Sequence, residues 1–220
     1  MTKAPFFAVL VCALSLALFS SCSSSIKVKT SGSKTTVSFS AEGGEAFLKT
    51  ISMLDGTNEQ GNGASGDASL FTTEDICANF MAAGFKEVSA STIGKKGFSV
   101  TFTIPESKKD PLSESGILKF SEEKKPYFEL SKEKFENFYE LIPFELKSYI
   151  DLFMAPSFTQ EIMDDEEYLD LVASVFGPTL SKEIKEAKIQ FEFEENGKVS
   201  KKAFSLLSIL NLEGKLFIGK

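Results

Sequence analysis

The sequence predicts an α+β domain in which a central block of amphipathic helices covers one face of a mostly antiparallel sheet. Two observations support this fold class. Towards both ends of the chain, at residues 26–40 and 189–204, polar and apolar side chains alternate as they do in half-buried strands. Between these segments, residues 131–177 repeat large apolar side chains every three or four positions, as amphipathic helices do. Strands before and after a helical segment are typical of α+β domains.

The first predicted elements are a β-hairpin and a helix. Residues 26–29 and 35–40 alternate, and Gly32 lies in the turn between them. A helix is predicted at Glu45–Leu54 because its large apolar side chains share one face. Residues 55–69 contain four glycines and no large apolar side chain, which indicates a solvated loop.

A second helix and four strands are predicted next. The helix occupies residues 72–84 and places Ile76, Cys77, Phe80 and Met81 on its inner face, so Cys77 is expected to be a buried thiol. The strands are predicted at residues 85–91, 97–104, 117–121 and 127–130.

Three amphipathic helices are predicted within residues 131–177, divided by Pro143 and Pro156 and ended by Gly177 and Pro178. Their apolar faces either cover the sheet, or line a lipid-sized cavity or enter a bilayer. The middle helix carries the candidate apolar ligand face, which consists of Leu146, Tyr149, Ile150, Phe153 and Met154. The flanking helices are predicted to turn inward Phe135, Phe138, Tyr139 and Ile142, and then Tyr168, Leu171, Val172, Val175 and Phe176.

The C-terminal segment returns to strands. Residues 189–194 and 198–204 are predicted to form a hairpin around Asn196-Gly197, a pair of residues that favours a two-residue turn. Residues 205–212 fit either a short helix or a buried strand. Residues 215–218 are predicted to form a final edge strand.

The composition excludes several kinds of chemistry. The 220 residues have a formal net charge of −7 and contain no His, Arg or Trp. The absence of His removes imidazole bases, Ser-His and Cys-His pairs, and His metal ligands. The acidic balance disfavours a nucleic-acid partner. We therefore expect a protein that is not an enzyme and that has no catalytic residues, no metal site and no cofactor.

The acidic run from Asp164 to Glu167 is the densest group of charges in the chain. It fits either a cation site built from oxygen ligands or the N-terminus of the third predicted helix. Its position directly before Tyr168 favours the helix N-terminus, where acidic side chains cap free N–H groups.

Residues 1–21 have the features of an export signal. Lys3 is followed by an uncharged segment at residues 4–19, which at 16 residues is shorter than the ~20 that a bilayer span requires. Residues 18–21, Leu-Phe-Ser-Ser, lead into Cys22. This ending resembles the lipobox of bacterial lipoproteins, in the relaxed form of spirochaete lipoproteins. The resemblance implies cleavage before Cys22 and a diacylglycerol anchor on that cysteine; an uncleaved membrane anchor and an ordinary secretory signal are the alternatives.

The predicted organisation is a signal peptide at residues 1–21, a short lipidated tether at 22–25 and one domain at 26–220. We expect a cell-envelope lipoprotein with a non-enzymatic structural or interaction role, attached to a membrane through Cys22. The alternative is a carrier of a lipid ligand, or a membrane-modifying protein, that uses the helices of residues 131–177. Ser23 after the cysteine resembles the sorting signal of enteric outer-membrane lipoproteins, which favours the outer over the inner membrane.

Overall fold

The computed structural model describes residues 23–54, 72–94, 96–105, 107, 109–142, 147, 151, 155–159 and 161–220. The strands are β1 (Ser23–Ser31), β2 (Lys34–Glu42), β3 (Lys86–Ile93), β4 (Gly97–Ile104), β5 (Leu118–Phe120), β6 (Pro126–Leu130), β7 (Lys188–Glu195), β8 (Lys198–Ser205) and β9 (Leu216–Ile218). The helices are α1 (Glu45–Leu54), α2 (Thr73–Ala82), α3 (Pro111–Glu114), α4 (Lys132–Leu141), α5 (Pro156–Thr159), α6 (Asp165–Phe176), α7 (Pro178–Glu186) and α8 (Leu206–Leu210).

The strands form two sheets. The larger is mixed and has the order β3-β4-β2-β1-β7-β8, while the smaller has the order β5-β6-β9. Every pair of neighbours is antiparallel except β1 and β7, which are parallel. The predicted α+β class is therefore confirmed, whereas the second sheet was not predicted.

Alternate side chains of the central strands build the core. Val28 of β1, Phe39 of β2 and Phe191 of β7 are all buried. On β4, Phe102 packs against two more phenylalanine rings, with centroid distances of 4.3 Å to Phe85 and 5.6 Å to Phe80. Such aromatic contacts add to the stabilisation that comes from burying apolar surface.

The opposite face of the large sheet is polar. Two hydroxyl pairs link β2 to β4, Ser38 with Thr101 and Ser40 with Ser99, each at 2.9 Å. Towards β7 and β8 this face carries charged side chains instead. The period of two in these strands thus separates an apolar inner face from a hydrophilic outer face.

The helices flanking the candidate ligand face pack into the core. On α4, Phe135 and Phe138 are buried, as predicted. The predicted face of α6 is partly wrong, because its buried residues are Tyr168, Leu169 and Val172, while Val175 is 53% exposed. The predicted Phe176 is half-buried and packs against the core, so the observed stripe differs from the predicted one in including Leu169 and excluding Val175.

The prediction that Gly177 and Pro178 end the helical segment is wrong in one respect. They end α6, but Pro178 is also the first residue of α7. Proline suits this position because its missing N–H would have no partner in the first turn, and Gly177 supplies the positive φ of 93° that joins the two helices.

Strand β1 begins earlier than predicted. Residues 23–25 were expected to form a free tether, yet Ser23 pairs with Glu42 and Ser24 lies beside Ile189 in the sheet. Alternation could not reveal this start, because a run of small serines carries no apolar signal. The sheet therefore extends to the residue that follows Cys22.

Candidate functional site

The predicted site residues lie outside the described part of the chain. This holds for the lipidation residue Cys22 and for all five residues of the candidate ligand face, Leu146, Tyr149, Ile150, Phe153 and Met154. The first described neighbour of Cys22 is Ser23, at the start of β1. The geometry relevant to an anchor is therefore that of the sheet end at Ser23.

This end of the large sheet, here called the β1 end, is one nearly straight row of residues. Ser23 is opposite Glu42, and Glu42 is opposite Gly97. On the other side, the Ser24 hydroxyl donates to the backbone oxygen of Lys188 at 3.2 Å. The row runs across all six strands and consists of Ile93, Gly97, Glu42, Ser23, Lys188 and Ser205.

A carboxylate fixes the helix that leaves the β1 end. Glu183 of α7 accepts hydrogen bonds from the backbone N–H groups of Ala46 and Phe47, each at 3.1 Å. These N–H groups belong to the first turn of α1, where a negative charge stabilises a helix. The sequence offered no sign of this cap, because Glu183 is 137 residues from Ala46 and 136 residues from Phe47 along the chain.

Charged side chains of three neighbouring strands form a ladder on the outer face. Lys27 contacts Glu192 at 2.9 Å and Glu194 at 2.8 Å, while Glu194 also contacts Lys29 at 2.8 Å. Lys201 closes the ladder on Glu192 at 2.7 Å. Hydrogen bonds from Lys27 and Lys29 lower the pKa of Glu194 to about 2. Because each charge has an opposite partner, the ladder stabilises strand pairing and offers no free acid or base.

Acidification is expected to weaken the domain through this ladder. The pKa of Glu194 lies near 2 in the folded chain, below its ordinary value of 4.5, so its stabilising effect is complete above pH 4.5 and is lost as the pH falls towards 2. Thermal unfolding followed between these pH values should show a falling midpoint. The Glu194→Gln variant should show a shallower decrease, and an identical decrease in both proteins would contradict this role.

A surface cleft of about 560 Å³ lies beside α4. Ile162, which is 93% exposed, and Met163 are its apolar lining residues. The remaining lining residues are polar or charged: Lys132, Glu133, Glu136, Asn211 and Glu213. Five of its seven lining residues are therefore polar or charged, whereas small-molecule pockets are lined mainly by apolar side chains.

The acidic run is a helix N-terminus, as predicted. The side chain of Asp164 accepts from the N–H groups of Glu166 and Glu167 at 2.9 Å, and Glu167 accepts in return from the N–H of Asp164 at 3.0 Å. This reciprocal arrangement is a capping box. In the described part of the chain, no three Cys, Asp or Glu side chains are grouped so that they could hold a metal ion.

Cys77 is less buried than predicted. Its side chain is half-buried, and its sulfur lies 4.0 Å from the backbone oxygen of Val88 on β3. The neighbouring strand is an edge of the large sheet, so this side of α2 borders solvent. Ile76 and Phe80 are buried as expected, whereas Met81, also predicted on the inner face, is 55% exposed.

Tyr139 belongs to a polar cluster that sequence analysis missed. Its half-buried ring packs against the core, as predicted for the apolar face of α4, and its hydroxyl donates to both carboxylate oxygens of Asp151, at 2.9 and 3.0 Å. Burial and this carboxylate raise the pKa of the tyrosine to about 12. The ammonium of Lys147 lies 4.7 Å from the ring centroid. The cluster holds the tyrosine in its neutral form and joins α4 to Lys147 and Asp151.

Comparisons with known proteins identify no relative. No family model, curated protein or solved structure matches the chain. Within the described ranges, every helix is too short or too polar to cross a bilayer. Function must therefore be inferred from the residues and their geometry.

Proposed function

We propose that the protein is a lipid-anchored component of a bacterial cell envelope, held to a membrane through an acylated Cys22. The observation that carries this proposal is the segment before that cysteine, an uncharged stretch followed by two serines and Cys22. The sheet pairing of Ser23 supports it, because the residues that directly follow the signal segment belong to a folded domain. Ser23 itself favours attachment to the outer membrane.

The role proposed for the domain is structural or interactive, not enzymatic. The described helices α4 and α6 direct Phe138, Tyr168 and Val172 into the core, where they are 0–2% exposed. Burying such side chains stabilises the fold by roughly 1.5–3 kcal/mol each. The charges of the outer-face ladder are likewise paired, which supports a stabilising role for them over a chemical one.

A carrier of a hydrophobic ligand is the second candidate. Its support is the spacing of Leu146, Tyr149, Ile150, Phe153 and Met154, which would form one continuous apolar face on a helix. Mass spectrometry of organic extracts from the purified mature protein distinguishes the two functions. A stoichiometric lipid other than the anchor would support the carrier, whereas its absence supports the structural role.

Replacement of Cys22 by alanine is expected to abolish acylation. The thioether that joins the diacylglycerol needs the cysteine sulfur, so the variant should incorporate no radiolabelled fatty acid and should accumulate as uncleaved precursor. Metabolic labelling followed by immunoprecipitation measures both. The matched control is Cys77→Ala. Cys77 is the only other cysteine outside the predicted signal peptide, and this variant should be labelled normally. Normal labelling of the Cys22 variant would overturn the proposal.

A further inference from the structure

We infer that the β1 end of the large sheet rests against lipid headgroups, so that the strands rise away from the bilayer. The inference rests on the proposed acylation of Cys22. Beyond that proposal, it identifies the surface of the domain that meets the membrane and the surfaces that face away from it. The partner of the β1 end is therefore the lipid surface itself.

The first step of the argument is the absence of slack between anchor and sheet. Consecutive Cα atoms are about 3.8 Å apart, so Cys22 is within one peptide step of Ser23. Ser23 already pairs with Glu42, and Ser24 with both Ala41 and Ile189. With no free residue between the lipid and a paired strand, this end of the sheet stays within a few ångströms of the anchor, whereas the opposite end is a full strand length away.

The second step is the shape of the end that the anchor holds. The row from Ile93 to Ser205 crosses six strands, and neighbouring strands lie about 4.8 Å apart, so it spans roughly 24 Å. Ser23 is near the middle of the row, between Glu42 and Lys188. An anchor at the centre of a broad end holds that end against a flat surface more firmly than an anchor at a corner.

The third step is the chemistry of the β1 end. Lys188 is exposed and forms no ion pair with any described residue, while the exposed Lys96 pairs with Glu45 at 3.1 Å. Glu42 and Ser205 are polar members of the same row. Side chains of this kind suit the hydrated headgroup region and not the hydrocarbon core. The end should therefore sit on the membrane without entering it.

The opposite end of the sheet then faces away from the membrane. Strand β1 has nine residues, and at about 3.3 Å per residue it is roughly 30 Å long. The two hairpin turns, at Gly32 and at Asn196-Gly197, lie at that end. Lys198, the first residue of β8, is exposed there, just as Lys188 is exposed at the β1 end. These two lysines are matched reporter positions on one hairpin.

The test compares fluorescent labels at the two lysines. Lys188→Cys and Lys198→Cys are each made in a Cys77→Ser background. Because the sulfur of Cys22 is blocked by the lipid, the introduced cysteine is then the thiol that reacts with the label. The purified lipidated proteins are placed in phosphatidylcholine–phosphatidylglycerol vesicles that contain a lipid with a spin label on its headgroup. Short-range quenching should reduce fluorescence several-fold more at position 188 than at position 198.

The possible outcomes separate this inference from the proposed function. Intact mass, measured on the same samples, reports whether the diacylglycerol is present. An acylated protein with equal quenching at both positions, or more at position 198, would overturn the orientation alone. A protein without the lipid mass would overturn the proposed function and this inference with it. Circular dichroism of each variant verifies that the exposed substitutions leave the fold intact.

Discussion

Replacement of Phe102 by alanine is expected to destabilise the domain by about 3–5 kcal/mol, which is a large part of the stability of an ordinary domain. The side chain is 1% exposed, and its ring contacts those of Phe80 and Phe85, which also contact each other. Removing it takes away the transfer free energy of the ring and leaves a cavity that the paired strands cannot close.

Urea unfolding of the wild-type and variant domains measures this effect. Val199→Ala on β8 is the control, because that side chain is 50% exposed and its loss should change the free energy of unfolding by no more than about 0.5 kcal/mol. A loss below about 1 kcal/mol for the Phe102 variant would mean that this part of the core is loosely packed. Loose packing at this position would strengthen the case for a ligand cavity.

The second large effect is expected from Gly97→Ala. A Cβ atom at this position would clash with the backbone oxygen of Ala41 and would lie 2.7 Å from Cγ of Glu42. The backbone of β2 cannot yield without disturbing its pairing with β4, so the variant should lose about 1–3 kcal/mol. The strain falls on the β1 end, next to the paired residues of the anchor strand.

Gly214→Ala is the matched control for that variant. An added Cβ at Gly214 meets no atom within 4 Å, so this substitution should be neutral or should stabilise the domain by up to about 1 kcal/mol. Thermal unfolding of the two variants side by side measures the difference. Equal midpoints would show that the approach of Gly97 to β2 is not close enough to matter.

The parts of the fold that sequence predicted well are those governed by neighbouring residues. The second hairpin is an example: Asn196 and Gly197 adopt positive φ angles of 49° and 77°, as a two-residue turn requires. Strand β4 was predicted with its observed bounds because Phe98, Val100 and Phe102 alternate strictly with polar residues. In both cases the preference is set within a few residues of chain.

The parts that could not be predicted depend on distant partners. Nothing in residues 23–31 shows that β1 pairs in parallel with β7, and the ladder around Lys27 exists only because of that pairing. The short strands β5, β6 and β9 were recognised individually, but local pattern does not reveal that they form a separate sheet. At the candidate site, Cys22 was predicted from a contiguous signal, whereas the row that surrounds Ser23 is assembled from six strands.

The parallel pairing of β1 with β7 also determines when the domain can fold. Ser24 and Lys188 are separated by 164 residues, so the central strand lacks one of its two neighbours until nearly the whole chain is available. Closing so long a loop has an entropic cost that slows folding. For the exported chain proposed here, this delay is useful. The N-terminal strands can cross a membrane before the last partner arrives, and the sheet is completed only after the C-terminal segment has followed.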